Sequence, residues 1–396
     1  MAAAIAAKEN SPSLSVTVCE KNDRVGKKLL ATGNGRCNLS NTSDSPEHFH
    51  GSFDAAGLIS KNAAPEELFS RLGMPTTADT QGRVYPYSNS ASTVVNTLRS
   101  AMARLGVEEV CGFTAADYTG KPGAYRVTSA EGDTITAKRI IIAAGGYAAP
   151  VYGTDGAMMR LLREKGYRTA KLCPAVAPLR TAPESLKGLK GVRARCTVTA
   201  LSGEKKLRTE QGEIQFTENS LSGICVFNLA YLYGEYPETL CISVDFASDM
   251  DKTTLIRCLE QMAELDPEAE ITSLTSGIFA KNLAVYLVKN ALKRPLADRI
   301  SDLSRGDISK LAAFIKDCRF HITGSAPWKD SQSTLGGIHC SELDSALCSK
   351  REPGIYLCGE ILDCAGDCGG FNLKWAWASG TTAGKSAAES LKGASR

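Results

Sequence analysis

The chain reads as an α/β protein in which a parallel sheet of nucleotide-binding type is split by an inserted β part and a helical part. Three stretches predict this. "LSVTVCE", residues 14–20, is an apolar, β-branched run that ends on the carboxylate of Glu20. "AKRIIIAAGG", residues 137–146, is a buried strand running into Gly145 and Gly146. "GIYLCGE", residues 354–360, is a second buried strand, and a glycine-rich loop and a helix follow it. Short apolar runs closed by glycine are the pattern of strands covered on both faces, as in a parallel sheet.

In order along the chain, "MAAAIAA" is a small-residue helix start suited to close packing on a sheet. A signal peptide is the other reading, but the apolar run stops at Ala7 and no basic segment precedes it. The run at 14–20 ends as the second strand of a Rossmann unit does, with an acidic residue about 20 residues after the phosphate-binding glycines. Those glycines are expected before residue 1, with a first strand and turn of roughly 15 residues. The stretch "LLATGNGRCNLSN", residues 29–41, spaces Gly33, Gly35 and Asn38 nearly as the dinucleotide fingerprint does, but "KNDRVGKKLL" ahead of it is no strand. A helix is expected over residues 90–105, with Ser88 and Ser90 as cap candidates and Val94, Val95, Leu98, Met102 and Leu105 on one face. Strands near 125–129 and 133–136 form a small antiparallel meander, and the strand 139–143 follows. Gly145 and Gly146 at its end fit both close ligand approach and a plain tight turn.

From about residue 172 to 321 the chain changes character. "CTVTALSG" and "TLCISVDF" are strand-like, and residues 252–319 hold several helical patterns. "KRPLADRISDLSR", residues 293–305, reads as a solvated helix face, with an RNA or phosphate contact as the alternative. The C-terminal stretch puts Gly359 and Glu360 after a buried strand, then Gly366, Gly369 and Gly370, then a helix from about Phe371. A helix N-terminus and a carboxylate at that sheet edge suit a reduced flavin, which carries negative charge, and its ribityl hydroxyls. Trp375 and Trp377 read as core.

Composition is that of an ordinary globular protein, 43% hydrophobic and 22% charged, with net charge +3. That balance neither demands nor excludes nucleic acid. The 14 cysteines are scattered without paired spacing, as expected of a cytoplasmic protein. Cys358, Cys364 and Cys368 lack the spacing of a zinc site, so no metal is expected. No run reaches the roughly 18 apolar residues of a membrane span, so no membrane contact is expected.

"EKNDRVGKKLLATGNGRCNLSN" together with "RIIIAAGG", "FTENSLSG" and "GEILDCAGDCGGFNLKWAWASG" resembles the bacterial BaiN-like family of NAD(P)/FAD-dependent oxidoreductases, also called dehydro-bile-acid-reductase-like or aminoacetone-oxidase-like. The resemblance covers nearly the whole chain. It implies a glutathione-reductase-type FAD-binding domain, Rossmann-like, with an inserted β-barrel domain and a helical domain. The expected boundaries are 1–171 and 336–396 for the FAD part, 172–250 with 320–335 for the barrel, and 251–319 for the helices. It also implies that "GNGRCN" is a second glycine loop lying against the flavin.

Carried over to this sequence, the resemblance places Glu20 on the adenosine ribose, with Lys21 beside it. Lys28, Thr32, Gly33, Gly35, Arg36, Cys37 and Asn38 would line the cofactor, and Ala144, Gly145 and Gly146 would flank the adenine half. Gly359, Glu360, Asp363, Gly369, Gly370, Phe371 and Asn372 would hold the ribityl and isoalloxazine end. "STLGGIHC" keeps Gly336 and Gly337 but departs from the family at His339, expected to be a satisfied histidine without a catalytic part. Cys37 is the one candidate proton donor, packing under the flavin ring being the simpler account of it.

The implied activity passes hydride from NAD(P)H through FAD to an unsaturated acceptor. Uridine in ribosomal RNA is the leading candidate; a bile-acid intermediate or aminoacetone is the small-molecule alternative. A non-enzymatic reading, a cofactor-free binding module, stands against these.

Overall fold

The computed structural model describes residues 1–392. Two compact units are present, one formed by Met1–Ala175 with Trp328–Arg396 and the other by Val176–Pro327. The ladder between Thr169–Ala175 and Ser333–Ile338 belongs to the first unit. The insertion is therefore shorter than the sequence suggests. Residues 172–175 and 328–335, expected in the barrel, instead form part of this antiparallel pair and its approach.

In the first unit, strand Thr17–Glu20 pairs in parallel with Glu108–Cys111, and Ile140–Ile142 pairs in parallel with Ile355–Leu357. The meander has three strands, Ala115–Lys121, Ala124–Ser129 and Thr134–Ala137. Helix Ala91–Arg104 buries Val94, Val95, Leu98 and Met102. Ser90 stands at its N-cap position, but its hydroxyl pairs with that of Ser92 (2.8 Å) and makes no cap bond. The alanine-rich first helix, Ala2–Asn10, packs against the last, Phe371–Lys392. Asn10 Nδ2 donates to Glu389 (3.1 Å) and Lys392 Nζ donates to the Asn10 carbonyl (2.7 Å), which fixes the register of the pair.

In the second unit, six strands close into a barrel: Leu179–Thr181, Ser220–Ser222, Lys205–Phe216, Arg193–Ser202, Leu240–Asp245 and Cys318–Ser325. Val198, Ile214, Ile242, Val244 and Phe320 fill it and join one apolar cluster with helices Lys252–Leu265, Lys281–Leu292 and Arg305–Lys316. The basic stretch 293–305 is no helix face. Lys293 ends a helix in the left-handed conformation, and a short turn, Ile300–Asp302, leads to the next helix, capped by Ser304. Arg294 pairs with Asp298 (2.8 Å) and Asp307 (3.7 Å), and Arg299 donates to the Glu268 carbonyl (2.6 Å). These arginines serve the turn, where their charge is met locally.

Candidate cofactor site

Four segments of the first unit meet at the carboxyl ends of its parallel strands. Strand Thr17–Glu20 delivers Glu20, whose Oε1 accepts from the backbone N (2.9 Å) and Nδ2 (2.8 Å) of Asn22. Asn22 Nδ2 also donates to the Tyr152 carbonyl (3.1 Å), so the carboxylate is held in a local turn at the strand end. Lys21 pairs with Asp155 (3.2 Å) in an exposed contact worth little.

The second segment is the glycine loop. A short helix, Lys27–Ala31, gives way to the turn Thr32–Gly35, in which Gly33, Asn34 and Gly35 have φ of +57°, +55° and +80°. Cys37, also left-handed at +58°, donates its N–H to the Thr32 carbonyl (3.0 Å). Its side chain is fully enclosed in the apolar cluster of Val25, Leu29, Leu39 and Trp377. Burial pushes the thiol up to about 11. A thiol so covered has no path to a substrate, and the structure assigns Cys37 to packing where the sequence offered it as a proton donor. Arg36 lies over the Tyr85 ring (5.1 Å).

The third and fourth segments follow strands Ile140–Ile142 and Ile355–Leu357. Lys28 Nζ donates to Glu360 Oε2 (2.6 Å) and to the Ala148 carbonyl (3.2 Å), while Glu360 Oε1 accepts from Thr334 N (3.0 Å). Thr334, fully buried, accepts from the N–H groups of Tyr147 (2.9 Å) and Ala148 (3.0 Å). A Cβ on Gly146 would lie 2.5 Å from the Thr334 hydroxyl, so the turn after Ala144 and Gly145 tolerates only glycine at that place.

The C-terminal helix begins at Phe371, behind Gly369 and Gly370. Trp375 Nε1 donates to the Gly359 carbonyl (3.2 Å) and Trp377 Nε1 to the Leu39 carbonyl (2.8 Å). Both tryptophans are core, as expected, and both also tie a glycine loop to the same helix. Lys374, buried, donates to the carbonyls of Asn41 (2.7 Å) and Ser43 (2.9 Å) and pairs with Asp44.

Two residues expected at the ligand have other duties. The Asn372 amide is committed to Gly366 N (2.9 Å), Gly366 O (2.6 Å) and Ser333 Oγ (2.8 Å). Asp363 accepts from Ser52 N (3.0 Å). His339 caps the turn at Ser341, a satisfied histidine. Among the described residues, no three His, Cys, Asp or Glu side chains stand as a metal site, and no helix is long and apolar enough to cross a membrane.

The site passes a test of fit for a flavin dinucleotide. Asn38 Oδ1 is buried with no hydrogen-bond partner, and it lies 2.8 Å from where a Gly370 Cβ would sit. A buried carbonyl oxygen without a donor costs roughly 1–3 kcal/mol. It is enclosed by the glycine loop and the N-terminus of the C-terminal helix, where a ligand N–H would meet it. That helix terminus also offers positive potential to an anionic ring system.

Sequence reasoning missed Thr334, Lys374 and a cluster of His48, His50 and Asp367. The signal for the last was "HFH" at 48–50, two histidines flanking Phe49 where a turn, Pro46–His48, passes into strand Phe49–Gly51.

A family described as HI0933-like protein Rossmann domain matches residues 1–386. The 3-dehydro-bile acid delta(4,6)-reductase of Clostridium scindens is 32% identical over 395 residues, 98% of this chain and 96% of that protein. The ribosomal RNA dihydrouridine synthase of Escherichia coli is 24% identical over 392 residues, 92% of this chain and 90% of that protein. Among solved structures, a quinol-fumarate reductase with menaquinol molecules aligns with TM-score 0.48 and 14% identity, over 99% of this chain and 69% of that one. The chain belongs to the HI0933-like family: it is a flavin-dependent oxidoreductase with a Rossmann-type FAD-binding domain into which a six-stranded barrel and its helices are inserted.

Proposed function

We propose that this chain is a reductase of carbon–carbon double bonds conjugated to a carbonyl, working in two half-reactions with NAD(P)H as electron donor. The observation that carries this reading is the enclosed, partnerless Asn38 oxygen between the glycine loop and the C-terminal helix. FAD, when bound, would supply two-electron chemistry. The chain's residues would do the holding: Asn38 and the N-terminus of helix Phe371–Lys392 would hold the ring system, the Lys28–Glu360 pair the ribityl chain, and Glu20 the adenosine ribose.

The substrate class rests on the relatives. The names of the two relatives, a 3-dehydro-bile acid delta(4,6)-reductase and a ribosomal RNA dihydrouridine synthase, both denote saturation of a double bond conjugated to a carbonyl. The higher identity to the first favours a small, apolar enone. Uridine in ribosomal RNA is the second reading, favoured by the relative that spans 92% of this chain. The local pairing of Arg294 and Arg299 withdraws the support that the basic stretch had offered it.

The test is an anaerobic spectrum of the purified chain before and after NADPH, followed by a 3-dehydro-4,6-diene bile acid. A visible flavin band that bleaches with NADPH and returns with the bile acid is expected. No band after incubation with FAD would sink the reading. Return of the band with ribosomal RNA only, together with RNA binding that weakens steeply with salt, would transfer it to uridine.

A further inference from the structure

Strand Phe49–Gly51 pairs antiparallel with Cys364–Gly366, more than 300 residues away, His50 opposite Ala365. This brings two imidazoles to one carboxylate. His48 Nδ1 lies 3.0 Å from Asp367 Oδ2 and His50 Nε2 lies 2.8 Å from Asp367 Oδ1, while the Asp367 side chain is only 2% exposed. A carboxylate that accepts from both rings would put a proton on each facing nitrogen and hold each imidazole in one tautomer. The nitrogens meet the oxygens directly and leave no space for a cation between them. With both rings neutral the cluster carries one negative charge, and one proton added to either ring balances it. The His48 ring stacks on Phe371, at 4.2 Å and 21°, and Phe371 is the first residue of the helix behind Gly369 and Gly370. The cluster thus borders the candidate cofactor site, and nothing in the holding role assigned above uses it.

We propose that His48 is the proton donor to the acceptor carbon, with Asp367 and His50 as its positioning residues, an inference that rests on the reductase reading. Saturating a double bond takes a hydride and a proton. The Nε2–H bond of the His48 imidazolium breaks, a C–H bond forms at the carbon next to the one that receives hydride, and the N–H electron pair stays on the ring. The hydride pair originates in NAD(P)H, which is oxidised, and the acceptor gains two hydrogens. Water returns a proton to His48, the more exposed ring at 26% against 13% for His50.

The experiment uses the FAD-loaded chain reduced with NADPH, then mixed with a 3-dehydro-4,6-diene bile acid or with ferricyanide, which takes electrons and needs no proton at carbon. H48Q should slow reoxidation by the bile acid on the order of 10²-fold and leave reoxidation by ferricyanide within about twofold of wild type. Imidazole in the buffer should restore the bile-acid reaction of H48A, which a merely structural role would not allow. A readout free of turnover is the ring-nitrogen NMR of the four histidines, where D367N should release two imidazoles from single tautomers into mixtures. Bile-acid reoxidation of H48Q at the wild-type rate, or D367N spectra with all four imidazoles unchanged, would overturn the proposal alone. Absence of a flavin band, or a reduced flavin that the bile acid does not reoxidise, would overturn the reductase reading and the proposal with it.

Discussion

The two units bury different things. Val176–Pro327 closes its strands into a barrel around one apolar cluster, and its buried polar groups are the neutral Thr181, Ser220, Asn228 and Thr275. The unit of Met1–Ala175 and Trp328–Arg396 buries Lys8, Asp363, Asp367 and Lys374, and these are all the buried charged side chains among the described residues. Buried charge is expensive unless every atom is partnered. The first unit meets that cost for Asp363, Asp367 and Lys374 with hydrogen bonds across segments far apart in sequence, and for Lys8 with the nearby Pro12 and Leu14 carbonyls. The barrel unit keeps its charges at half-buried positions, Arg208 with Glu210 (2.7 Å) and Lys316 with Asp245 (2.6 Å), around a core that holds by packing.

If the contrast is right, damage to the barrel core lowers stability without touching the flavin. Phe320→Ala, at a fully buried ring, should cost about 3–5 kcal/mol in denaturant melts, while the flavin spectrum of the folded fraction stays that of wild type. A lost flavin band in that variant would break the comparison. Lys374→Met attacks the other unit. Its removal strands the Asn41 and Ser43 carbonyls and should cost about 2–3 kcal/mol, with flavin affinity falling at least tenfold.

Alkaline pH sharpens the contrast next. Burial holds Cys37, Cys358 and Cys368 up to about 11, whereas an unfolded thiol ionises near ~8.5. A raised folded value means the native state keeps the proton longer. The contribution of these thiols is therefore intact below about pH 8.5 and is lost as pH rises towards 11, roughly 1–2 kcal/mol per thiol at pH 10. Melts of wild type and Cys37→Ala between pH 8 and 10.5 check this; Cys37→Ala should show the flatter decline, and parallel curves would count against the burial of that thiol. The smallest effect should belong to Asn38→Ala. Removing an unpartnered oxygen should stabilise the FAD-free chain by about 1 kcal/mol and weaken flavin binding, a change of opposite sign in two titrations.

What the sequence made legible was local. The carboxylate at the end of 14–20, the glycines after 139–143 and the loop before Phe371 follow from strand and turn chemistry within a dozen residues; in the structure Glu20 ends a strand of one two-stranded parallel pair, and the two glycine segments follow the strands of another. Two of the six barrel strands, 193–202 and 240–245, were legible as strand-like runs, but the ends of the insertion were not, because the Thr169–Ala175 partner lies about 160 residues on and only the ladder reveals it. The same distance hid Thr334, whose hydroxyl serves Tyr147 and Ala148, and Asp367, whose partners are a strand near residue 50. Residues 293–305 misled for another reason. Their basic side chains look free in a linear reading, but Arg294 pairs with Asp298 and with Asp307 of the following helix, and Arg299 donates to the Glu268 carbonyl.

Helix Phe371–Lys392 carries Lys374, Trp375 and Trp377, the three side chains that fasten residues 39, 41, 43, 44 and 359. These fastenings are made by residues that follow the whole barrel unit in the chain. A growing chain has every residue of the barrel unit in hand before the first of them appears, so the barrel folds early while the glycine loop of residues 29–41 waits without its clamp.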